Sequence, residues 1–325
     1  MAGVEFGLLL HTRHWVRNDR APAGLEEFWR AAEDAEAAGF DHLWIGDSPR
    51  IARMDRAHAD CLTVMAALAA KTRKIKIGAV PLIAGLRNPV LLAHSLATLD
   101  VISSGRIIIG VSAAPQYKFA EQEFEACGVP FEQRAGRLDE AIQLMRRLWA
   151  EESVSFQGKY LRLNGIGVQP MPVTKSIPIW CAAGDNENAL KRVARLGDGW
   201  FTVAQTPQIF AARRTKIERF ARELGQKRNL PSMLFATFHL HPVKDKAEEE
   251  GWNLAESYFR QPPAQLKHLS PFFGTPEECA EKLQRYVAAG MTGVVARFVA
   301  PDIEVQTRLL LNEVKPRLKL QTKQN

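Results

Sequence analysis

Apolar residues along this chain follow two alternating patterns. Short, nearly continuous apolar runs give way to longer stretches in which apolar residues recur every three or four positions. The first pattern belongs to strands buried on both faces, the second to amphipathic helices. Val4 to Leu10 opens the series as a strand and stops at the polar and aromatic loop His11-Thr12-Arg13-His14-Trp15. Leu25 to Ala38 follows as a helix, with Gly39 placed as its C-cap. Phe40 to Ile45 is the next strand and ends at Gly46-Asp47-Ser48-Pro49. Strand, helix and strand within about forty-five residues is the spacing of a βαβ unit.

The alternation continues with a helix over Cys61 to Lys71, a strand over Lys74 to Pro81 and a helix over Pro89 to Asp100. Ser103-Ser104-Gly105 breaks that helix, and Arg106 leads into the strand Ile107 to Val111. The run ends in Ser112-Ala113-Ala114, whose small side chains let another molecule approach the backbone. Arg137 to Trp149 reads as a helix and Val154 to Tyr160 as a hairpin outside the main pattern. Pro178 to Cys181, Asp198 to Val203 and Met233 to His241 read as strands, with helices over Asn186 to Leu196 and Pro207 to Leu224. An irregular polar region containing Pro262-Pro263 comes next. Thr275-Pro276-Glu277-Glu278 starts an N-capped helix to Ala289-Gly290, followed by the strand Val294 to Val299 and a closing helix over Glu304 to Leu318.

Eight strand-like runs, nearly all followed by helices, predict an α/β fold. The expected form is a (β/α)8 TIM barrel with insertions, one domain spanning residues 1–325. A doubly wound sheet would want a glycine-rich turn after the first strand, and His11 to Trp15 supplies none.

With 46% hydrophobic and 24% charged residues the chain can bury a large core. Its net charge is +7, yet basic residues alternate with acids along helical faces such as Arg213 to Arg222. Those faces read as solvated rather than as a nucleic-acid surface, and an anionic small ligand remains compatible. Cys61, Cys127, Cys181 and Cys279 are too scattered for a metal pattern and read as reduced thiols. Cys181 reads either as a small buried hydrophobe or as a pocket residue. No signal-peptide pattern or membrane-length apolar run occurs, so a soluble, cytoplasmic protein is expected.

If the fold is a barrel, its active site lies at the carboxyl ends of the strands. That rule selects His11 and His14, then Asp47 and Ser48, Val80 and Pro81, Ser112, and Gly184 to Asn188. It adds His239 or His241 and, near the end of the last strand, Arg297. No third ligand is spaced near His239 and His241, so no metal is expected. Gly184-Asp185-Asn186-Glu187-Asn188 joins a strand end to a helix start, where backbone N–H groups and the helix dipole suit a phosphate. Simple capping by Asp185 or Asn186 is the other reading, and the Asp185 charge would have to turn away from a bound anion. Trp44 and Trp200 sit inside strand runs and read as core. An isomerase-type barrel would need a Glu paired with Lys or His at strand ends, and no such pair can be placed.

Several segments together resemble the luciferase-like superfamily of flavin- and deazaflavin-dependent oxidoreductases, over nearly the whole chain. They are AGFDHLWIGDS, IKIGAVPLI, RNPVLLAHSLATLDVISSGRIIIGVSAA, CGVPFEQRAGRLDEAIQLMRRLW, PIWCAAGDNENALKRVARLGDGWF and FGTPEECAEKLQRYVAAG. The resemblance implies a barrel holding reduced FMN or its deazaflavin counterpart, coenzyme F420, with Asp47 beside the ring. It implies that a bulge at Val80-Pro81 supports the ring face not used for hydride transfer. Relatives carry a non-prolyl cis peptide there; with Pro81 in place a cis bond is far less costly, so Val80–Pro81 is expected cis. Ser112 and Ala113 would contact the ribityl chain, and Gly184, Asp185, Asn186 and Asn188 the phosphate. His11, His14 and Tyr117 are the candidate proton donors, and Arg297 a candidate substrate contact.

The chain departs from the sugar-phosphate dehydrogenases of this superfamily. Their catalytic His after the second-strand Asp is here Ser48, and their Glu after the fourth strand falls at Ala113 to Pro115. Two chemistries remain. In one, reduced F420 passes hydride to a small unsaturated substrate, as in reductases of the methylenetetrahydromethanopterin type; compact loops and the basic balance favour it. In the other, reduced FMN from a separate reductase reacts with oxygen, and the chain is a monooxygenase. A flavin-binding protein without turnover is the alternative of another class. A homodimer is expected from the resemblance, with the helices near Ala67 and Asp100 as partners.

Overall fold

A computed structural model describes residues 3–12, 21–47, 58–226, 228–266, 269 and 271–319. His14 and Ser48 lie outside these residues. Strands β1 (Glu5–Leu10), β2 (His42–Ile45), β3 (Lys76–Leu82) and β4 (Ile107–Val111) run side by side. The hairpin β5 (Val154–Gln157) and β6 (Arg162–Ile166) forms a small separate sheet. β7 (Ile179–Ala182), β8 (Gly199–Thr202), β9 (Ser232–Leu240) and β11 (Gly293–Phe298) complete the set. The order β1-β2-β3-β4-β7-β8-β9-β11 returns to β1 through parallel pairs, closing an eight-stranded (β/α)8 barrel.

Helices α1 (Ala21–Ala38), α2 (Cys61–Lys71) and α3 (Pro89–Ser103) follow the first three strands. α4 (Lys118–Ala126) and α5 (Arg134–Ala150) follow β4, α6 (Glu187–Leu196) follows β7, and α7 (Pro207–Glu223) follows β8. Side chains alternate across the barrel wall. Leu8, Leu10, Leu43, Ile45 and Ile109 belong to the layer beneath the helices, whereas Leu9, Trp44, Ile108, Trp180 and Phe201 fill the interior. Both faces are therefore buried, which is why the strands read as continuous apolar runs. Trp44 and Trp200 are both fully buried.

Large interior rings need missing side chains opposite them. A Cβ on Gly78 would stand 2.6 Å from the Ile108 carbonyl oxygen and inside the Trp44 ring; one on Gly110 would stand 2.6 Å from Phe201. Arg106 staples the amino end of β4. Its guanidinium donates to the Ala69 and Ile75 carbonyls at 2.8 and 3.0 Å and to the Thr72 hydroxyl at 2.8 Å.

Two expectations need correction. The polar region after β9 is ordered as α8 (Lys244–Phe259), α9 (Pro263–Leu266) and β10 (Phe272–Gly274), ahead of α10 (Pro276–Ala288). α8 escaped notice because its fully buried positions are the small residues Ala247, Gly251 and Ala255, which leave almost no apolar stripe. β10 extends the sheet beyond the barrel by pairing with Phe238 to Leu240 at the far end of β9. The closing helix α11 (Ile303–Arg308) does not run on as regular α-helix but continues as a wider π-type turn over Leu309–Val314.

Gly78→Ala should cost about 1–3 kcal/mol by overpacking, because the carbonyl it meets is fixed in the β3–β4 ladder. Thermal melts should show a lowered midpoint for this variant and none for Gly3→Ala, which has nothing within 4 Å of the added Cβ.

Candidate active site

The carboxyl ends of the strands surround a cavity of about 310 Å³. β1 contributes Leu9 and Leu10 and then His11; the segment after β2 contributes Gly46, Asp47 and His58. Val80 and Pro81 come from β3, Ala182 from β7, Phe201 to Val203 from the end of β8, Phe235 from β9 and Arg297 from β11. Tyr258 from α8 and Leu269 complete the wall.

β3 carries a bulge here. Ala79 pairs with Ile109 and Leu82 with Val111, so Val80 and Pro81 together oppose the single residue Gly110. The Val80–Pro81 peptide is cis, as expected. Asp47 holds the segment behind this bulge. Its buried carboxylate accepts from Ile83 N at 2.9 Å and from both terminal nitrogens of Arg87 at 2.7 and 2.8 Å. Burial opposes the Arg87 charge, but the hydrogen bonds and charge of Asp47 outweigh it and raise the guanidinium pKa. Arg87 also reaches Asp60, the N-cap of α2, at 3.4 Å. Burial, together with the Asp47 charge, pushes the nearby Cys61 thiol well up. One ion pair thus fastens the loop after β2, the loop after β3 and the start of α2.

Across the cavity, Arg297 donates to the Thr237 hydroxyl through Nε at 3.1 Å and Nη2 at 2.7 Å. Its guanidinium carbon lies 4.6 Å from the Phe259 ring centroid and 5.0 Å from that of Phe235, within cation–π range. The Tyr258 hydroxyl is 2.9 Å from His11 Nδ1.

Other selected residues lie off this wall. Ser112 N donates to the Leu82 carbonyl at 3.1 Å and its hydroxyl accepts from Ala114 N at 3.2 Å, so it shapes the loop beyond the bulge; Ala113 is half-buried beside it. Asn186 caps α6, its side chain accepting from Ala189 N at 2.9 Å. The first two amides of that helix, at Glu187 and Asn188, have no partner within the helix. A Cβ on Gly184 would meet only Arg213, at 4.0 Å, so the backbone before α6 is open to close approach. The Asp185 carboxylate is turned into a fork with Arg213 at 2.8 and 2.7 Å, which lowers its pKa. Arg213 also donates to Thr202 and to the Val203 carbonyl, joining this loop to the cavity wall.

Tyr117 is 55% exposed and stacked on Phe119, away from the described wall. His239 is buried between the Val299 carbonyl and Glu250, and His241 is engaged with the Val243 backbone. No group of three potential metal ligands occurs among the described residues. Cys181 is fully buried, its thiol pushed up to about 12 by desolvation, so it acts as a small hydrophobe. Sequence reading missed Arg87 and Tyr258, and it placed Arg213 on a solvated helix face, whereas Arg213 is buried and paired with Asp185. Arg87 left a trace, as the first charge after Lys76 in an otherwise apolar stretch. Tyr258 left none, because its helix was not recognised.

A parallel eight-stranded barrel with a largely apolar cavity and a few placed polar groups at its carboxyl face is the frame of a barrel enzyme. The chain matches the luciferase-like monooxygenase family over residues 4–271, belongs to that family and is therefore an oxidoreductase of it. The F420-dependent glucose-6-phosphate dehydrogenase of Kineococcus radiotolerans is 30% identical over 317 residues, spanning 89% of this chain and 90% of that one. The 5,10-methylenetetrahydromethanopterin reductase of Archaeoglobus fulgidus is 26% identical, over 91% of this chain and 96% of its own. Among solved structures, a monooxygenase from Streptomyces bottropensis superposes with a TM-score of 0.83 at 23% identity, over 96% of this chain and 99% of that one. An F420-dependent secondary alcohol dehydrogenase gives 0.78 at 22%, over 98% of this chain and all of that one (100%). At these identities the structures speak for the fold. No described helix is long and apolar enough to cross a membrane.

Arg87→Ala should cost about 3–5 kcal/mol by leaving the Asp47 carboxylate buried without its cation. Arg87→Lys, which keeps the charge but not the fork, should cost less; chemical denaturation of the two variants orders them.

Proposed function

We propose that this chain binds reduced coenzyme F420 and uses it to reduce a small unsaturated substrate, in the manner of a methylenetetrahydromethanopterin reductase. The carrying observation is the cavity itself: an apolar chamber backed by the β3 bulge, with Arg297 fixed on the opposite side. When bound, the reduced deazaflavin supplies the hydride. Val80 and Pro81 back the ring and Asp47 stiffens that support through Arg87 and Ile83. Ser112 and Ala113 meet the ribityl chain. Gly184 leaves room for the phosphate, which takes the amides beside Asn186 and Asn188; Asp185 contributes only backbone, its carboxylate being held by Arg213. Arg297 orients a carbonyl or carboxylate group of the substrate, and the apolar walls exclude water.

Ser48 and Ala113 to Pro115 stand where the sugar-phosphate dehydrogenases carry His and Glu, which argues against sugar-phosphate oxidation despite the 30% identity to such an enzyme. For proton delivery His11 is on the wall, Tyr117 is not, and His14 lies outside the described residues. Leu91, Val101 and Ile102 expose apolar area along α3, at 66%, 43% and 50%, and support a homodimer through that helix. A separate reductase would be needed only if FMN and oxygen replaced F420. A cytoplasmic setting fits the four free cysteines, three of them buried.

The test is binding of reduced F420 and reduced FMN measured separately. Tight binding of F420 alone is expected; FMN alone would transfer the reading to a monooxygenase, and neither would overturn it. Arg297→Leu should raise KM for an unsaturated carbonyl substrate about tenfold or more, with cofactor affinity unchanged.

A further inference from the structure

Adding a hydride across an unsaturated bond also requires a proton donor at the cavity. On the described wall the ionisable groups are His11, Asp47, His58, Tyr258 and Arg297. Asp47 is committed to Arg87 and Ile83 N, and Arg297 keeps its proton at any working pH. His58 lies beside Gly46, on the Asp47 side. Tyr258 and His11 form a direct hydrogen-bonded pair at 2.9 Å with both residues on the cavity surface. Their rings are 4.9 Å apart, although 247 residues separate them in sequence.

The pair is held from several sides. Tyr258 lies near the carboxyl end of α8, edge-on to Phe259, and α8 packs on β10 through Gly251, where a Cβ would stand 2.5 Å from the Phe273 ring. Tyr258 belongs to an apolar group with Trp252, Phe259, Leu266 and Val299. The Arg297 guanidinium is 5.9 Å from the Tyr258 ring, so the group expected to orient substrate and the phenol share one corner.

We propose that Tyr258 is the catalytic acid of the reduction and that His11 acts through it as a positioning and relay residue. The inference rests on the hydride reading given above. The bound cofactor would supply the hydride for the new C–H bond, and the electron pair of the unsaturated bond would then fall to the neighbouring atom. That atom takes the Tyr258 hydroxyl proton, the phenol O–H bond breaking as the new bond to hydrogen forms. The phenolate recovers a proton from Nδ1 of the His11 imidazolium, leaving neutral imidazole, to which water in the emptied chamber returns a proton through the Tyr258 hydroxyl. In the oxidative direction the same protons run backwards. Activity in the reductive direction therefore falls as pH rises through the His11 pKa. Asp47, His58 and Arg297 are the other ionisable groups sharing the wall with the pair.

The experiment compares wild type with Tyr258→Phe and His11→Gln, each first checked for an unchanged melting temperature. Tyr258→Phe should lower kcat by about 10²-fold or more, with cofactor binding and KM within about twofold of wild type. His11→Gln should keep Tyr258 but lose the alkaline fall of kcat. Independently of turnover, NMR titration of the His11 imidazole in cofactor-free protein should give a pKa matching that alkaline limb, and Tyr258→Phe should shift it. A Tyr258→Phe enzyme within about threefold of wild type, or a His11 titration unmoved by that substitution, overturns the dyad. Failure of wild type to bind either reduced cofactor instead removes the hydride reading on which the dyad rests, and the binding measurement shows which has failed.

Discussion

The ion pair between Asp47 and Arg87 is the interaction on which the mouth of this barrel depends. A carboxylate only 3% exposed survives there because a fork of two hydrogen bonds and an adjacent backbone amide replace its water. Through it the end of β2, the loop that follows the β3 bulge and the cap of α2 become one rigid unit. The bulge can then turn Val80 and Pro81 into the cavity without collapsing against Gly110. The same logic recurs across the mouth, where Arg213 ties the loop before α6 to the end of β8, and Arg297 is fixed by Thr237 and two aromatic faces. Three arginines thus stiffen three sides of a chamber whose walls are otherwise apolar.

Local pattern carried most of the barrel because its strands are buried on both sides. α2 and β4 match their expected limits, Cys61 to Lys71 and Ile107 to Val111, where an apolar run is bounded by an Asp cap or a Ser-Gly breaker. α8 shows where that reasoning stops. It packs through Ala247, Gly251 and Ala255, and small residues that allow close approach carry no hydrophobic signal. β10 is only three residues long, too short to show a pattern of its own, and pairs with the end of β9.

The site was legible to the extent that it hangs on strand ends. His11, Asp47, Val80, Pro81 and Arg297 were selected by position alone, and the fold brings all five to the lining of one cavity. What could not be read were the partners. Asp47 meets Arg87 across 40 residues and His11 meets Tyr258 across 247, distances at which no spacing rule operates. Tyr117, by contrast, follows β4 closely in sequence yet is exposed, stacked on Phe119 where α4 begins.

The segment between β9 and β11 caps the barrel of this member of the luciferase-like monooxygenase family, bringing Tyr258 to the chamber wall and Phe259 against Arg297. On the proposed reading barrel and cap divide the labour: the β3 bulge would back a ring, and the cap would face what lies on it. A crystal structure of the protein with oxidised F420 tests this arrangement most directly. The account predicts the ring against Val80 and Pro81, the phosphate at the amides that open α6, and the exposed ring face turned toward Tyr258 and Arg297. A ring bound outside the chamber, or with its reactive face against the bulge, would contradict it.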